Sequence, residues 1–195
     1  TASGGSGGSG GAGGAGGSGG AGGMKAAGGS GGSGGSGGAG GSGGAGGSAP
    51  AAMLKVQYEC RQDGPSVSLL QGSIKVFNAG TTTIQLNTVN VRYWYTINGT
   101  GTQSGSCTSA AHPCTIAFQA VSPAKTKADE AAVISFAGGT LAPGADTGEI
   151  QIEMHGAGNY NQNDDYSFMS TGAQFLDTTT IGGYVSTKLV SGVAP

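Results

Sequence analysis

The amino-acid sequence predicts an all-β fold, an antiparallel β-sandwich preceded by a glycine-rich linker. Short runs of alternating apolar and polar residues are separated by turn residues, and no segment shows the pattern of an amphipathic helix. Of the 44 glycines in 195 residues, 28 lie in residues 1–50, which contain no aromatic residue and one charged residue, Lys25. Such a segment cannot bury enough apolar surface to offset its ordering entropy. We therefore predict a flexible linker over residues 1–50 and one folded module over residues 51–195.

The composition excludes several classes of protein. The glycines occur mostly in pairs and there are only six prolines, which excludes collagen. No run of about 18 apolar residues exists, which excludes a membrane-spanning helix. Residues 51–195 carry seven basic and ten acidic side chains, and the basic ones are scattered. We therefore expect neither a nucleic-acid partner nor a polybasic membrane surface, since each requires a basic patch.

Six runs alternate with the two-residue period of a β-strand. In chain order they are 54–58, 73–77, 89–97, 132–136, 150–155 and 184–190. Turn residues follow several of them, as in Asn98-Gly99 and Gly138-Gly139. The stretch 124–132 is expected to form one short helical turn. Many short strands with Gly, Asn and Thr turns are typical of a β-sandwich.

The run 89–97 has the clearest two-faced pattern. One face carries Val89, Val91, Tyr93, Tyr95 and Ile97, and we expect it to face the core. The other face carries Trp94, for which two interpretations stay open. Trp94 is either a buried packing residue or, together with Arg92, part of a sugar-stacking groove.

Three cysteines indicate the redox environment. Cys107 and Cys114 have six residues between them in a loop-like segment, which favours a short disulfide and an oxidising compartment. Cys60 is expected to be a buried free thiol. A zinc site that adds His112 and Cys60 as ligands is the alternative, although the spacing does not match the usual CxxC pairs. The chain starts at Thr1 without a signal sequence, so we expect either a processed secreted protein or a fragment.

The sequence contains no recognisable catalytic constellation, and we predict that the protein is not an enzyme. Neither His112 nor His155 lies near a nucleophile motif. Asp164 and Asp165 are adjacent, so they are poorly placed to flank one glycosidic bond from both sides. The segment 159–168 is nevertheless dense in the oxygen donors that calcium prefers, although it is not an EF-hand. Solvated loop carboxylates are the alternative interpretation of that segment.

Several short segments, in this order and spacing, resemble a family 3 carbohydrate-binding module of the cellulose-binding type. The resemblance runs from Leu54 to Pro195, and the matching segments are 54–58, 91–96, 107–111, 134–144, 147–151 and 164–168. It implies a nine-stranded antiparallel sandwich with jelly-roll topology. It also implies a non-catalytic module that binds cellulose or a related β-glucan and is tethered to a catalytic or scaffold domain of a secreted polysaccharide-degrading protein.

The resemblance further implies one structural calcium ion. Asn98 stands where the family has Asp, and Asp164 stands where it has Asn, so the two exchanges preserve the oxygen count and the ligand charge. The sequon Asn98-Gly99-Thr100 has a competing use as a glycosylation acceptor. The implied calcium ligands are Thr96, Asn98, Asn161, Asp164 and Asp165.

Members that bind crystalline cellulose use a flat strip of aromatic and polar residues, and this sequence departs from that strip. Loss of the strip predicts weak adsorption to crystalline cellulose. An accessory structural module that packs on a partner catalytic domain, with weak or no sugar binding, is the alternative function. The replaced positions are Thr108-Ser109 for Asp-His, His112-Pro113-Cys114 for a longer loop with Tyr, Glu153 for Arg, Gly156-Ala157-Gly158 for Asp-Trp and Ser191 for Trp. The remaining candidates for sugar contact are Thr108, Ser109, His155 and Tyr160, with His112 beside them.

Overall fold

The computed structural model describes residues 53–195, together with all side chains in that range except Ala157. The linker predicted over residues 1–50 lies outside the described residues. Within the described part there are twelve strands, two 3₁₀ turns (Leu86–Thr88 and Gln162–Asp164) and no α-helix. The strands are β1 (Leu54–Cys60), β2 (Ser66–Asn78), β3 (Ile84–Gln85), β4 (Val89–Tyr95), β5 (Ser104–Ser109), β6 (Cys114–Lys125), β7 (Ala128–Phe136), β8 (Thr140–Leu141), β9 (Ile150–Asn161), β10 (Leu176–Asp177), β11 (Gly182–Val185) and β12 (Lys188–Ser191).

Two five-stranded antiparallel sheets form the sandwich. The first sheet has the order β10-β1-β2-β9-β5, and the second has the order β12-β11-β4-β7-β6. The short strands β3 and β8 pair with each other in a third, two-stranded sheet. The predicted all-β antiparallel sandwich is therefore confirmed. No helix in the described residues is long and apolar enough to cross a membrane.

The core lies between the inner faces of the two large sheets. Val89, Val91, Tyr93 and Tyr95 on β4 are all buried, as their alternation predicted. The ring of Tyr93 lies 5.8 Å from that of Tyr58 on β1, so aromatic side chains from both sheets meet in the centre.

A glycine on β2 makes room for one of these rings. Gly72 lies opposite Cys60 in the β1–β2 ladder. A Cβ atom at Gly72 would lie 2.5 Å from Cε2 of Tyr58, which is far below van der Waals contact. The packing of the Tyr58 ring therefore requires glycine at this position.

The structure corrects the sequence prediction at three places. Residues 104–109 and 114–125 form strands β5 and β6, which the sequence pattern did not reveal. The helical turn expected over 124–132 is wrong, because β6 and β7 form a hairpin there whose turn includes Lys127 in a left-handed conformation (φ 62°). The single strand expected over 184–190 is also wrong, since β11 and β12 form a hairpin around Ser186.

The predicted disulfide between Cys107 and Cys114 is present, and their Cα atoms are 5.7 Å apart. Cys107 lies on β5, an edge of the first sheet, and Cys114 begins β6, an edge of the second. The bond therefore joins the two sheets, and it uses both cysteines that the zinc alternative required. Cys60 is a free thiol, 1% exposed, and its Sγ donates to the Gln62 carbonyl at 3.2 Å.

Candidate functional site

The structure brings the five residues predicted as calcium ligands together at one end of the sandwich. Thr96 follows β4, and its Oγ1 donates to the main-chain carbonyl of Asp164 at 2.7 Å. The side-chain amides of Asn98 and Asn161 donate to Asp164 Oδ2 at 3.2 and 3.0 Å. The main-chain N–H of Asn161 in turn donates to Asn98 Oδ1 at 2.6 Å. Two segments more than 60 residues apart in sequence thus form one oxygen-rich cluster.

Asp165 is the most unusual member of this cluster. It is 4% exposed, and its Oδ1 accepts from the main-chain N–H of Thr96 at 2.9 Å. Its Oδ2 is buried and has no hydrogen-bond partner among the described residues. Burial raises the pKa of the Asp165 carboxyl to about 7, and the nearby carboxylates of Asp164 and Asp129 add to that increase.

These residues fit a hard cation. A buried carboxylate oxygen without a partner is costly unless a cation or a proton compensates it. Calcium binds six to eight oxygen ligands, and carboxylate, amide and main-chain oxygens all serve. No group of three or more His, Cys, Asp or Glu side chains in residues 53–195 is arranged so that it could hold a metal ion. The set would therefore rely on neutral oxygens from Thr96, Asn98 and Asn161 beside its two carboxylates.

The outer face of the first sheet carries a continuous row of hydrogen-bonding side chains. On β9, Gln151 and Glu153 point outward, since their neighbours Ile150, Ile152 and Met154 are buried. The ladder places residues of β2 and β5 on either side of them. We call this row the polar strip, and its members are Gln71, Ser73, Ser106, Thr108, Glu149, Gln151 and Glu153.

Glu149, just before β9, is held in place by three donors. Its Oε1 accepts from Ser73 Oγ at 2.9 Å, from Gln151 Nε2 at 3.1 Å and from the Arg61 guanidinium. These hydrogen bonds, led by that from Ser73, lower the pKa of Glu149. All three bonds reach Oε1, so Oε2 is left to accept from a ligand. A groove of about 270 Å³ beside Glu149 is lined by Gln151 and by residues 108–110 at the end of β5.

Glu153, two residues after Gln151 on β9, is also held by hydrogen bonds. Its Oε1 accepts from Gln71 Nε2 at 2.6 Å, and its Oε2 lies 3.5 Å from Ser106 Oγ. Two oriented carboxylates therefore flank the exposed amide of Gln151. Alternation in the sequence placed Gln151, Glu153 and His155 on one face, but nothing in the sequence showed which residues of β2 and β5 would adjoin them.

The predicted sugar-contact residues divide between this surface and the core. Thr108 lies opposite Gln151 on the polar strip, Ser109 is half-buried next to it, and His155 is exposed further along β9. Tyr160 is only 3% exposed, and its ring packs edge-on against that of Tyr95 at 6.0 Å. Tyr160 therefore has no free ring face for a sugar, which corrects that expectation.

Two phenylalanines lie elsewhere on the first sheet, one on its central strand β2 and one just before the edge strand β10. Phe77 on β2 and Phe175 before β10 are both half-buried. The Nζ of Lys55 lies 4.6 Å from the ring centroid of Phe77, and the Nζ of Lys75 lies 4.0 Å from that of Phe175. A lysine thus covers one face of each ring through a cation–π contact.

Trp94 is a buried packing residue, which agrees with the first of the two interpretations that the sequence left open. It is 4% exposed, and Tyr166 packs edge-on against it at 6.0 Å. His112, the further candidate, is half-buried in the loop between β5 and β6.

A two-sheet antiparallel sandwich with a polar sheet face is an architecture that β-sandwich binding modules use. Comparison with known sequences identifies the family. The family model described as the cellulose binding domain matches residues 55–192. The chain therefore belongs to this family, whose members are non-catalytic binding modules.

Two curated relatives illustrate the range of proteins that contain similar sequence. The beta-mannanase/endoglucanase A of Caldicellulosiruptor saccharolyticus is 32% identical over 154 residues, which cover 75% of this chain and 12% of that protein. Cellulosomal-scaffolding protein A of Acetivibrio thermocellus is 32% identical over 158 residues, which cover 73% of this chain and 8% of that protein. The chain thus spans only about a tenth of the length of these relatives.

Solved structures support the same assignment. The family 3a carbohydrate-binding module from the cipA scaffolding of Clostridium thermocellum is 30% identical with a TM-score of 0.65, and the match covers 71% of this chain and 99% of that one. Biomass-sensing modules from putative Rsgi-like proteins of the same organism are 28% identical with a TM-score of 0.67, and cover 73% of this chain and 99% of theirs.

Proposed function

We propose that this chain is a non-catalytic module that holds a chain of cellulose or a related β-glucan on the polar strip, through hydrogen bonds rather than ring stacking. The observation that carries the proposal is the pair of oriented carboxylates, Glu149 and Glu153, on either side of the exposed Gln151. Sugar hydroxyls donate to such carboxylates, and an amide both donates and accepts.

The geometry of a sheet face suits an extended polysaccharide. Outward residues on one strand repeat every ~6.8 Å, and adjacent strands lie ~4.8 Å apart. The strip therefore places polar groups from β2, β9 and β5 on one surface, and Glu149, Gln151 and Glu153 are bonded to neighbouring side chains. Pre-oriented groups lose little side-chain entropy when a ligand binds, which favours affinity.

The same geometry predicts a limited range of ligands. An aromatic ring stacked on a nucleic-acid base contributes roughly 1–3 kcal/mol, and we use that figure as an analogue for a sugar face. Among the described residues, the polar strip contains no such ring, and Tyr160 is buried. We therefore expect soluble or amorphous β-glucans to bind better than crystalline cellulose.

The test is isothermal titration with soluble cello-oligosaccharides and mixed-linkage β-glucan, beside pull-downs on amorphous and microcrystalline cellulose. The variant Gln151→Ala removes the central amide, and one hydrogen bond of about 1 kcal/mol corresponds to about fivefold weaker binding. Gln57→Ala is the matched control, because Gln57 lies on the outer face of β1 and bonds Asp177 instead. Equal effects of the two variants on binding would contradict the proposal.

A second candidate function is an accessory module that packs on a catalytic domain and binds sugar weakly or not at all. It is favoured by the absence of an open ring on the polar strip, and by relatives in which such a module occupies about a tenth of a much longer protein. Absence of binding to every glucan, in both the soluble and the insoluble assays, would favour this function over the first.

The calcium site is a separate part of the proposal. Thr96, Asn98, Asn161, Asp164 and Asp165 would hold one ion, which would compensate the partnerless Oδ2 of Asp165 and tie the segment after β4 to that after β9. A cation that binds only the folded state raises its stability. We therefore expect a chelator to lower the melting temperature.

The control for calcium compares two substitutions of the same type. Asp165→Asn is expected to abolish the response of the melting temperature to calcium. Asp177→Asn, at an exposed carboxylate paired with Lys55, is expected to keep it. An identical melting temperature of the unmodified protein with calcium and with chelator would refute the site.

An extracellular location completes the proposal. The disulfide between Cys107 and Cys114 is of a kind that persists in oxidising compartments. Fractionation of the source cells, followed by detection of the protein outside them, would test this location; recovery only from the cytoplasm would overturn it.

A further inference from the structure

The outer face of the second sheet contains a groove that the glucan-binding function does not use. Ala131 on β7 pairs with Trp94 on β4 and with Gln119 on β6, so a small side chain lies between two large ones in the same row. The result is a groove of about 270 Å³ with Ala131 as its floor. Arg92 and Tyr184 extend one wall, and Lys125 lies at the other.

Arg92 is held in this wall by stacking. Its Cζ lies 4.5 Å from the ring centroid of Tyr184. Its Nε is buried without a hydrogen-bond partner, and no carboxylate among the described residues lies within 4.0 Å of its nitrogen atoms. The guanidinium is therefore fixed in position, and its charge is not compensated by the protein.

The groove is locally positive although the folded module is not. Arg92 and Lys125 both line it together with Ala194 and Pro195, and none of the lining side chains is acidic. Two acidic residues precede Ala131 in sequence: Glu130 is buried, and Asp129 accepts from the main-chain N–H of Ile97 at 2.8 Å. Two cationic side chains without an ion-pair partner in the described residues, in a groove of a module with ten acidic and seven basic residues, favour an anionic ligand.

We propose that this groove binds the carboxylate of a uronic acid unit in an acidic polysaccharide, as a second site independent of the polar strip. A guanidinium fixed in one plane can bind a carboxylate through two parallel hydrogen bonds. Lys125 and Gln119 supply further donors for the sugar oxygens.

A sheet face suits a sugar better than a peptide. Peptides commonly bind at a sheet edge, where their main chain adds a strand. Here the edge strand β6 forms one wall of the groove, but its floor and its other wall are on the interior strands β7 and β4, whose main chains already pair on both sides. A ligand on that floor meets side chains, which suits the hydroxyl and carboxylate groups of a sugar.

The experiment is affinity gel electrophoresis with glucuronoxylan and with the same polymer after reduction of its carboxyl groups. Retardation is expected with glucuronoxylan and not with the reduced polymer, and it should decline as salt increases. Arg92→Gln is expected to weaken the interaction about tenfold or more, as a charge-assisted pair of hydrogen bonds implies. Lys125→Gln, at an exposed side chain, should weaken it less.

Lys55→Gln is the matched control, because it removes one positive charge from the opposite sheet. Gln151→Ala should leave this interaction intact, so failure of the glucan site and failure of the groove are distinguishable. Equal retardation by the acidic and the reduced polymers, or no retardation by either, would overturn the proposal. Binding to polyglutamate without binding to glucuronoxylan would overturn it in favour of an acidic protein partner.

Discussion

Removal of the Cys107–Cys114 disulfide should lower stability by an amount that the loop length sets. The two cysteines are seven positions apart, and the loop-entropy relation gives about 2.4 kcal/mol for a loop of that size. For a folded part of roughly 140 residues, the average unfolding entropy converts this to a decrease of about 8 °C in melting temperature. The small loop thus gives a moderate and measurable effect.

The assay is differential scanning calorimetry of the double variant Cys107→Ser/Cys114→Ser beside the unmodified protein, both at pH 7. Because the bond joins edge strands of the two sheets, hydrogen exchange should increase mainly in β5, which has few buried side chains. An unchanged melting temperature would refute the entropy argument. A decrease of more than about 20 °C would show instead that the bond is required for the fold, a conclusion that the extensive core does not predict.

Three further predictions concern individual positions. Gly72→Ala should destabilise the protein by about 1–3 kcal/mol because its Cβ would overlap the Tyr58 ring, whereas Gly138→Ala, with open space around it, should not; equal urea midpoints would refute this. The Cys60 thiol, whose pKa burial raises to about 11, should react with a disulfide reagent at pH 8 only after unfolding, and rapid reaction of the native protein would contradict its burial. Burial, with a smaller contribution from the adjacent Asp129, raises the pKa of Glu130. Its contribution to stability is therefore greatest at acidic pH and declines as pH rises through that pKa, so Glu130→Gln should be more stabilising at pH 8 than at pH 4; melting curves with the opposite order would refute this.

Strands with buried alternate residues could be predicted from the sequence. β4 is an example, because Val91, Tyr93 and Tyr95 all point into the core. β5 could not be predicted, because an edge strand with the sequence Ser-Gly-Ser-Cys-Thr-Ser buries little and depends on pairing with β9. β6 contains the alternating Ile116 and Phe118, but both are only half-buried, and Pro123 lies inside the strand.

The candidate sites depend on register, which a single sequence does not specify. The cation cluster was expected only through the family resemblance, since Thr96 and Asp165 are 69 residues apart. Alternation placed Gln151 and Glu153 on one face, but their supports on β2 follow from the pairing of Ser73 with Gln151. Burial of Tyr160 was missed because its ring contacts Tyr95 across the sandwich, which is a tertiary effect.

Retention on amorphous cellulose by two double variants tests the central claim most directly. Loss of two hydrogen-bonding residues in Gln151→Ala/Glu153→Ala should weaken binding by about 2 kcal/mol, or roughly 30-fold. Phe77→Ala/Phe175→Ala, which removes the lysine-covered rings on β2 and just before β10 in the same sheet, should be retained like the unmodified protein. If both variants are folded, normal retention of the glutamine–glutamate variant together with lost retention of the phenylalanine variant would contradict binding through the polar strip. That result would assign cellulose binding to the phenylalanine rings.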